Sequence, residues 1–320
     1  MSTPRDPPPP IEVVFPDIER WRAGNTGVPY VWRFTAERPG PSLTIQALTH
    51  GNEVCGAIAN DWLLQLGFRP ERGTLTLSFA NAAAYQSFNP GDPFKARCVD
   101  EDFNRLWAED VLDGPRKSLE LTRARELRPI YDATDYLLDL HSMTEPCPPL
   151  ALAGRQHKGL ELALALGLPE HIVIDAGHAA GKRLRDYAGF DIPLDPRNAL
   201  LIECGQHWER AAPEVAKQSS LRFLRHFGMV GTEFLDQHLD QAKLPPQRVI
   251  EITDVVTIGS DAFQFAFPVP GLAVVAKADT LFANDGDLPI RTPYDDCVLI
   301  MPTRRPKKGQ TAVRLGRYVN

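Results

Sequence analysis

Residues 42–67, SLTIQALTHGNEVCGAIANDWLLQLG, decide the architecture. Ser42 to Thr49 alternates apolar and polar side chains in the way a half-buried strand does, and His50 ends it. Gly51 and Asn52 supply turn chemistry. From Glu53 onward Val54, Ala57, Ile58, Trp62 and Leu66 recur at helical spacing until Gly67 offers a stop. The segment therefore reads strand, tight turn, helix, with a histidine at the carboxyl end of the strand.

The same grammar extends outward. Ile11 to Phe15 and Val28 to Thr35 are strand-like, and Thr74 to Ala80 is a strand before a long loop from Asn81 to Asp102. Ser118 to Pro129 reads as an amphipathic helix, and Tyr136 to Leu140 as an apolar strand ending at His141. His171 to Asp175 and Ala199 to Cys204 read as further strands, and Pro213 to Leu239 as a helix interrupted near Gly228. Alternating strands and helices predict an α/β fold with a mostly parallel sheet, whose ligands gather beyond the carboxyl ends of the strands. Pro245 and Pro246 mark a break. After them Val249 to Ile258, Ala273 to Lys277 and Cys297 to Met301 are short β-rich runs between turn formers, with no further long helix. The expected organisation is a disordered proline-rich tail at 1–10, a catalytic domain at 11–243 and a small all-β domain at 244–320.

Composition narrows the class. In 320 residues, 43% are hydrophobic and 24% charged, ordinary for a soluble globular protein, and no apolar run reaches the ~18 residues of a membrane span. The N-terminus lacks the basic and apolar regions of a signal peptide, so a cytoplasmic location is expected. Net charge is −6, which disfavours a nucleic-acid partner. The basic cluster Arg304, Arg305, Lys307 and Lys308 reads as a solvated loop. Five scattered cysteines without paired spacing fit reduced thiols rather than a disulfide framework or a cysteine zinc site.

Against that background four places carry chemistry. His50 and Glu53, three apart across a turn, can point an imidazole and a carboxylate at one spot, and His141 is the natural third member of a zinc ligand set. The same spacing also occurs at an ordinary helix start with a hydrogen-bonded histidine. Arg97, Asp102, Asn104 and Arg105 stand in the long loop or just past it, and the adjacent Asn and Arg suit a carboxylate, although a surface turn looks the same. Glu203 closes the apolar run Ala199 to Ile202, where burial would raise its pKa toward general-base duty unless it faces solvent at an edge. Asp139 shares a strand face with His141 and is either an orienting acid or a pocket-lining one. His207 is near enough to Glu203 to line such a site, whereas His157, His171, His178 and His226 read as surface or structural residues.

Together these segments resemble the aspartoacylase and succinylglutamate desuccinylase family, a branch of the zinc-carboxypeptidase-like hydrolases. The resemblance rests on His50-Gly-Asn-Glu53, Arg97 with Asp102-Phe-Asn-Arg105, Asp139-Leu-His141 and Glu203-Cys-Gly-Gln206, and covers residues 43–206. It implies a mixed sheet flanked by helices with a small β-rich C-terminal domain. It further implies one Zn²⁺ per chain on His50, Glu53 and His141, with Glu203 as general base and acid and Arg97 stabilising the oxyanion. Asn104 and Arg105 would hold a substrate carboxylate. The chain departs from the family pattern at Leu48 and Thr49, where glycines are frequent, at Phe103, commonly leucine, and at Gln206 in place of proline.

The expected activity is a zinc-dependent amidohydrolase acting on a small-molecule N-acyl amino acid or related compound. A metallocarboxypeptidase for short peptides and an inactive metal-binding regulator of the same fold are the alternatives, and homo-oligomer formation is left open. The basic residue for a second acidic group on the substrate is to be sought among Lys182, Arg183, Arg185 and Arg197. Gly177 to Lys182 lacks the glycine spacing and the Ser or Thr of a phosphate loop and reads as a plain turn.

Overall fold

The computed structural model describes residues 8–177 and 180–319. Most of the expected tail, together with His178, lies outside the described residues. The N-terminal half carries β1 (Val31–Thr35), β2 (Ser42–Ala47), α1 (Val54–Gln65), β3 (Thr74–Phe79), α2 (Ala82–Gln86), α3 (Glu109–Leu112), α4 (Leu119–Asp132) and β4 (Tyr136–Met143). Next come β5 (Leu150–Leu152), α5 (His157–Leu166), β6 (His171–Ile174), β7 (Asn198–Gln206), α6 (Ala211–His226) and α7 (Thr232–His238). The C-terminal part is all strand: β8 (Arg248–Thr257), β9 (Phe263–Phe265), β10 (Ala273–Val275), β11 (Leu281–Asp285), β12 (Leu288–Arg291), β13 (Cys297–Ile300) and β14 (Thr311–Tyr318).

One mixed sheet runs through the described residues in the order β1-β3-β2-β4-β7-β5-β6-β8-β14-β13-β10. Its centre, β3-β2-β4-β7, is parallel. β4 and β7 are buried along nearly their whole length, which is why they read as continuous apolar runs rather than alternating ones. Neighbouring residues on each strand serve opposite faces. Leu138, Leu140, Leu200 and Ile202 join Leu63 of α1, Leu162 of α5 and Phe223 of α6, while Leu137 and Ala199 join Leu121, Leu127 and Tyr131 of α4. Burying such a leucine or phenylalanine contributes about 1.5–3 kcal/mol each, so these two faces hold the centre of the sheet in place.

β8 pairs in parallel with β6, and β14 pairs antiparallel with β8, so the C-terminal strands continue the same sheet. A shared core cluster of Leu150, Val173, Leu201, Ile250, Val298 and Ile300 lies across that seam. β9, β11 and β12 form a separate antiparallel sheet. Among the described residues no helix is long and apolar enough to cross a membrane.

Several local expectations change. Ile11 to Phe15 is not a strand: Glu12 N–H donates to Trp208 O at 2.9 Å, and Val13 and Phe15 pack irregularly on the core. In 28–35 only Val31–Thr35 is strand. β5 was not expected, because three residues between prolines and Gly154 are too few to show a period. α5 was hidden because Gln156 offers no side-chain cap and Gly159 sits inside the helix. The interruption near Gly228 is real, separating α6 from α7. All five cysteines are free thiols.

Candidate metal and catalytic site

The expected residues meet at the carboxyl edge of the parallel strands, where an α/β sheet normally binds its ligands. His141 in β4 stands beside Glu203 in β7 in the strand register. His50 follows β2 after a sharp reversal in which Leu48 adopts φ 59°, a left-handed conformation that costs a side-chain-bearing residue about 1–2 kcal/mol. Gly51 is required by packing, because a Cβ there would collide with the backbone of Ala84 and Tyr85 and with Ala96 O.

Glu53 bridges the two imidazoles. Its Oε1 lies 2.7 Å from His50 Nδ1 and its Oε2 2.8 Å from His141 Nδ1. One nitrogen or oxygen from each of the three buried residues falls within 4.8 Å of the others, so the group could hold a metal ion. Behind each ring stands a carboxylate: His50 Nε2 is 3.0 Å from Asp102 Oδ1, and His141 Nε2 is 3.0 Å from Asp139 Oδ2. Carboxylates in that position fix the orientation of ligating histidines, and a nitrogen–oxygen donor set of this kind suits zinc. Asp139 and His141 meet at ion-pair distance, but neither Oδ2 nor Nε2 makes a hydrogen bond, so both readings of Asp139 stay open. Asp102 was not assigned to His50 from sequence, since the two are far apart in the chain and no period links them.

The charges inside this cluster are strongly coupled. Burial would raise the Glu53 carboxyl, yet His50 and His141 overcome it and hold the group well below the usual range. Burial would lower His141, but Asp139 and Glu53 hold it well above its ordinary value. Arg97 extends the network, with Nη2 3.0 Å from Asp102 Oδ2 and Nη1 3.4 Å from Glu53 Oε1.

Glu203 behaves in the opposite way. Burial, reinforced by the charges of Glu53 and Asp139 and opposed by His141 and Arg97, pushes its carboxyl up to about 8. Its Oε2 is buried without a hydrogen-bond partner. Glu203, the three metal-competent residues and Arg97 all line one cavity of about 610 Å³.

Asn104 and Arg105 line the same cavity. Asn104 Oδ1 accepts from Leu184 N–H at 2.9 Å, and Arg105 Nη1 donates to Asn104 O at 2.7 Å. Arg105 makes no ion pair among the described residues. Burial, with Arg97, Arg183 and Arg314 acting against Asp102, lowers it to about 10.

None of the basic residues sought between 182 and 197 offers the cavity an uncommitted charge. Arg183 is bidentate to Asp175 at 2.7 and 2.9 Å and also bonded to Asp186, and Arg185 is buried on Asp186, Ala153 O and Ala199 O. Arg197 pairs with Asp195, and Lys182 does not line the cavity. Besides Arg105, Arg314 of β14 and Lys307 line the cavity without an ion pair among the described residues, and the sequence reading missed Arg314. His207 also lines the cavity, with Nδ1 2.9 Å from Ser142 Oγ, and burial pushes it down to about 4.

The fold and site thus define an α/β protein with a candidate metal centre and a buried acid beside it. Residues 39–223 match the sequence pattern of the Succinylglutamate desuccinylase/Aspartoacylase catalytic domain, and the chain belongs to this family of deacylases. A probable aspartoacylase of Parasynechococcus marenigrum (strain WH8102) is 35% identical over 136 residues, 39% of this chain and 43% of that protein. The match therefore spans less than half the length of that relative. Succinylglutamate desuccinylase from Vibrio parahaemolyticus superposes with a TM-score of 0.67 at 18% identity, covering 91% of this chain and 87% of that one. The product-bound ectoine utilization protein EutE (DoeB) from Ruegeria pomeroyi gives 0.62 at 17% identity, covering 89% and 87%. At those identities the likeness concerns the fold.

Proposed function

We propose that the chain is a zinc-dependent deacylase that hydrolyses the amide bond of a small N-acyl amino acid or a related compound. One zinc per chain is held by His50, Glu53 and His141. When bound, zinc supplies Lewis acidity, lowering the pKa of a water toward about 7 and polarising the amide carbonyl. Glu203 takes a proton from the attacking water and returns it to the leaving nitrogen. Arg97 donates to the developing oxyanion, an interaction commonly worth about 3–4 kcal/mol. Asn104 and Arg105 hold a carboxylate of the substrate, and Arg314 meets a second acidic group.

The observation that carries this reading is Glu203: a buried carboxyl with one unpartnered oxygen, in the same cavity as two histidines and a glutamate that converge. The names of the relatives as aspartoacylase and succinylglutamate desuccinylase agree with it. Arg105 and Arg314, which line the cavity without an ion pair among the described residues, favour an anionic substrate. Metal analysis of the purified protein, followed by a screen of N-acetyl, N-succinyl and N-formyl amino acids beside short peptides, tests it. About one zinc per chain and turnover of an N-acyl amino acid is the expected result. A zinc-loaded protein that cleaves only peptides, or nothing in the screen, overturns it.

A further inference from the structure

Glu120 sits in the first turn of α4 and is 1% exposed. Its Oε1 accepts from Val99 N–H at 2.6 Å and Asn81 Nδ2 at 3.1 Å. Its Oε2 accepts from Asp100 N–H at 3.0 Å and Glu101 N–H at 3.3 Å. Three successive main-chain amides of one loop thus close on a single carboxylate, and with Asn81 they use the roughly four acceptor positions a carboxylate has. Helix capping does not explain this arrangement, because Ser118 Oγ already accepts from Leu121 N–H at 2.9 Å. The loop answers in kind: Asp100 Oδ2 accepts from Leu119 N–H of the same helix at 2.7 Å.

The clamped residues are the ones between Arg97 and Asp102, a stretch without regular secondary structure. On its near side Arg97 O accepts from Gly51 N–H at 3.1 Å, in the turn that carries His50. On its far side Asp102 backs His50 Nε2 at 3.0 Å. A loop with no ladder of its own holds a side chain to a few tenths of an ångström only if its backbone groups are fixed, and here one buried acid fixes three of them.

We infer that Glu120 is a positioning residue for the site. By clamping Val99 to Glu101 it sets where Arg97 and Asp102 stand, and through Asp102 it holds the His50 imidazole with Nδ1 turned toward Glu53 and His141. The inference rests on the zinc reading of those three residues.

The test is zinc affinity, measured by competition with a chromogenic chelator, in wild type, Glu120→Gln, Asp102→Asn and the double variant. Glutamine keeps the volume of Glu120 but turns an NH₂ toward N–H donors. Glu120→Gln is expected to weaken zinc binding roughly tenfold, the low end for disturbing an acid behind a histidine ligand. In the Asp102→Asn background it should add less than about twofold, since coupled residues are not additive. Ser118→Ala, which destabilises the same helix, should lower Tm while leaving zinc affinity unchanged. Should Glu120→Gln fail to fold, Glu120→Asp, which keeps the charge but draws the carboxylate back from the Val99, Asp100 and Glu101 amides, should weaken zinc in the same direction. Full additivity, or a folded Glu120→Gln or Glu120→Asp protein with wild-type zinc affinity, overturns the inference and spares the zinc reading. A wild type that binds no zinc overturns both.

Discussion

The Thr49 hydroxyl donates to Asp139 Oδ1 across 2.8 Å, and the other oxygen of Asp139 lies 3.0 Å from His141 Nε2. Gln46 Nε2 donates to Thr49 Oγ1 at 2.7 Å in turn, so a buried hydrogen-bonded chain leads from β2 to the acid beside one of the proposed ligands. Thr49 therefore fixes one oxygen of a buried acid that stands beside His141. Thr49→Val keeps the shape and removes the donor. Zinc affinity should fall about tenfold, and stability by roughly 1–3 kcal/mol because Asp139 loses a buried partner. Chelator competition and urea unfolding measure the two; unchanged zinc affinity would show that Asp139 needs no support from Thr49.

Glu203→Gln should keep zinc, because Glu203 lies outside the group that converges on Glu53. Turnover of the best N-acyl substrate should drop by about 10² to 10⁴-fold, the usual contribution of a positioned proton transfer. Steady-state kinetics with parallel metal analysis would decide it, and near-normal kcat with full zinc would mean that the base lies elsewhere.

The two arginines without ion pairs in the cavity should divide the substrate between them. Arg105→Ala should raise KM for every substrate with a free carboxylate by about 10 to 100-fold, as expected for loss of a charged hydrogen bond. Arg314→Met should raise KM only where the substrate has a second acidic group. Comparing mono- and diacidic N-acyl amino acids separates the roles, and equal losses on both series would contradict this division.

Acid sensitivity should depend on His207. Burial holds its pKa near 4 in the folded chain against 6.5 when exposed, so on acidification the unfolded chain takes up the proton first. The stability this residue contributes is complete above 6.5 and is lost as pH falls toward 4. The full effect is on the order of 3 kcal/mol. His207→Gln should flatten the dependence of unfolding free energy on pH across that window, as measured by urea titrations. A slope identical to wild type would rule His207 out as its source.

Much of this site was legible because its residues sit where the local pattern changes. His50, His141 and Glu203 each interrupt an apolar run toward the carboxyl end of a strand or just past it, and that edge is where a sheet meets its ligand. Asp102 behind His50, Glu120 under the loop and Arg314 in the cavity were not legible in the same way. Their roles come from tertiary contacts between distant segments, and an acid or arginine in a loop or a short strand has no periodicity that reveals what it will face. Arg183 and Arg185 show the reverse error: they looked like free cations in sequence, and Asp175 and Asp186 neutralise them.

The continuous sheet also imposes a timetable. His50, Glu53, His141 and Glu203 are all synthesised before β8 is complete, whereas Arg314 arrives on β14, several seconds later at ordinary rates of translation. Until β14 pairs with β8, the growing chain holds the residues of the proposed hydrolytic centre without the cation proposed to meet a second acidic group. It also has an uncovered strand edge open to other nascent chains. Pairing of β14 with β8 closes that edge and brings Arg314 to the cavity in a single event.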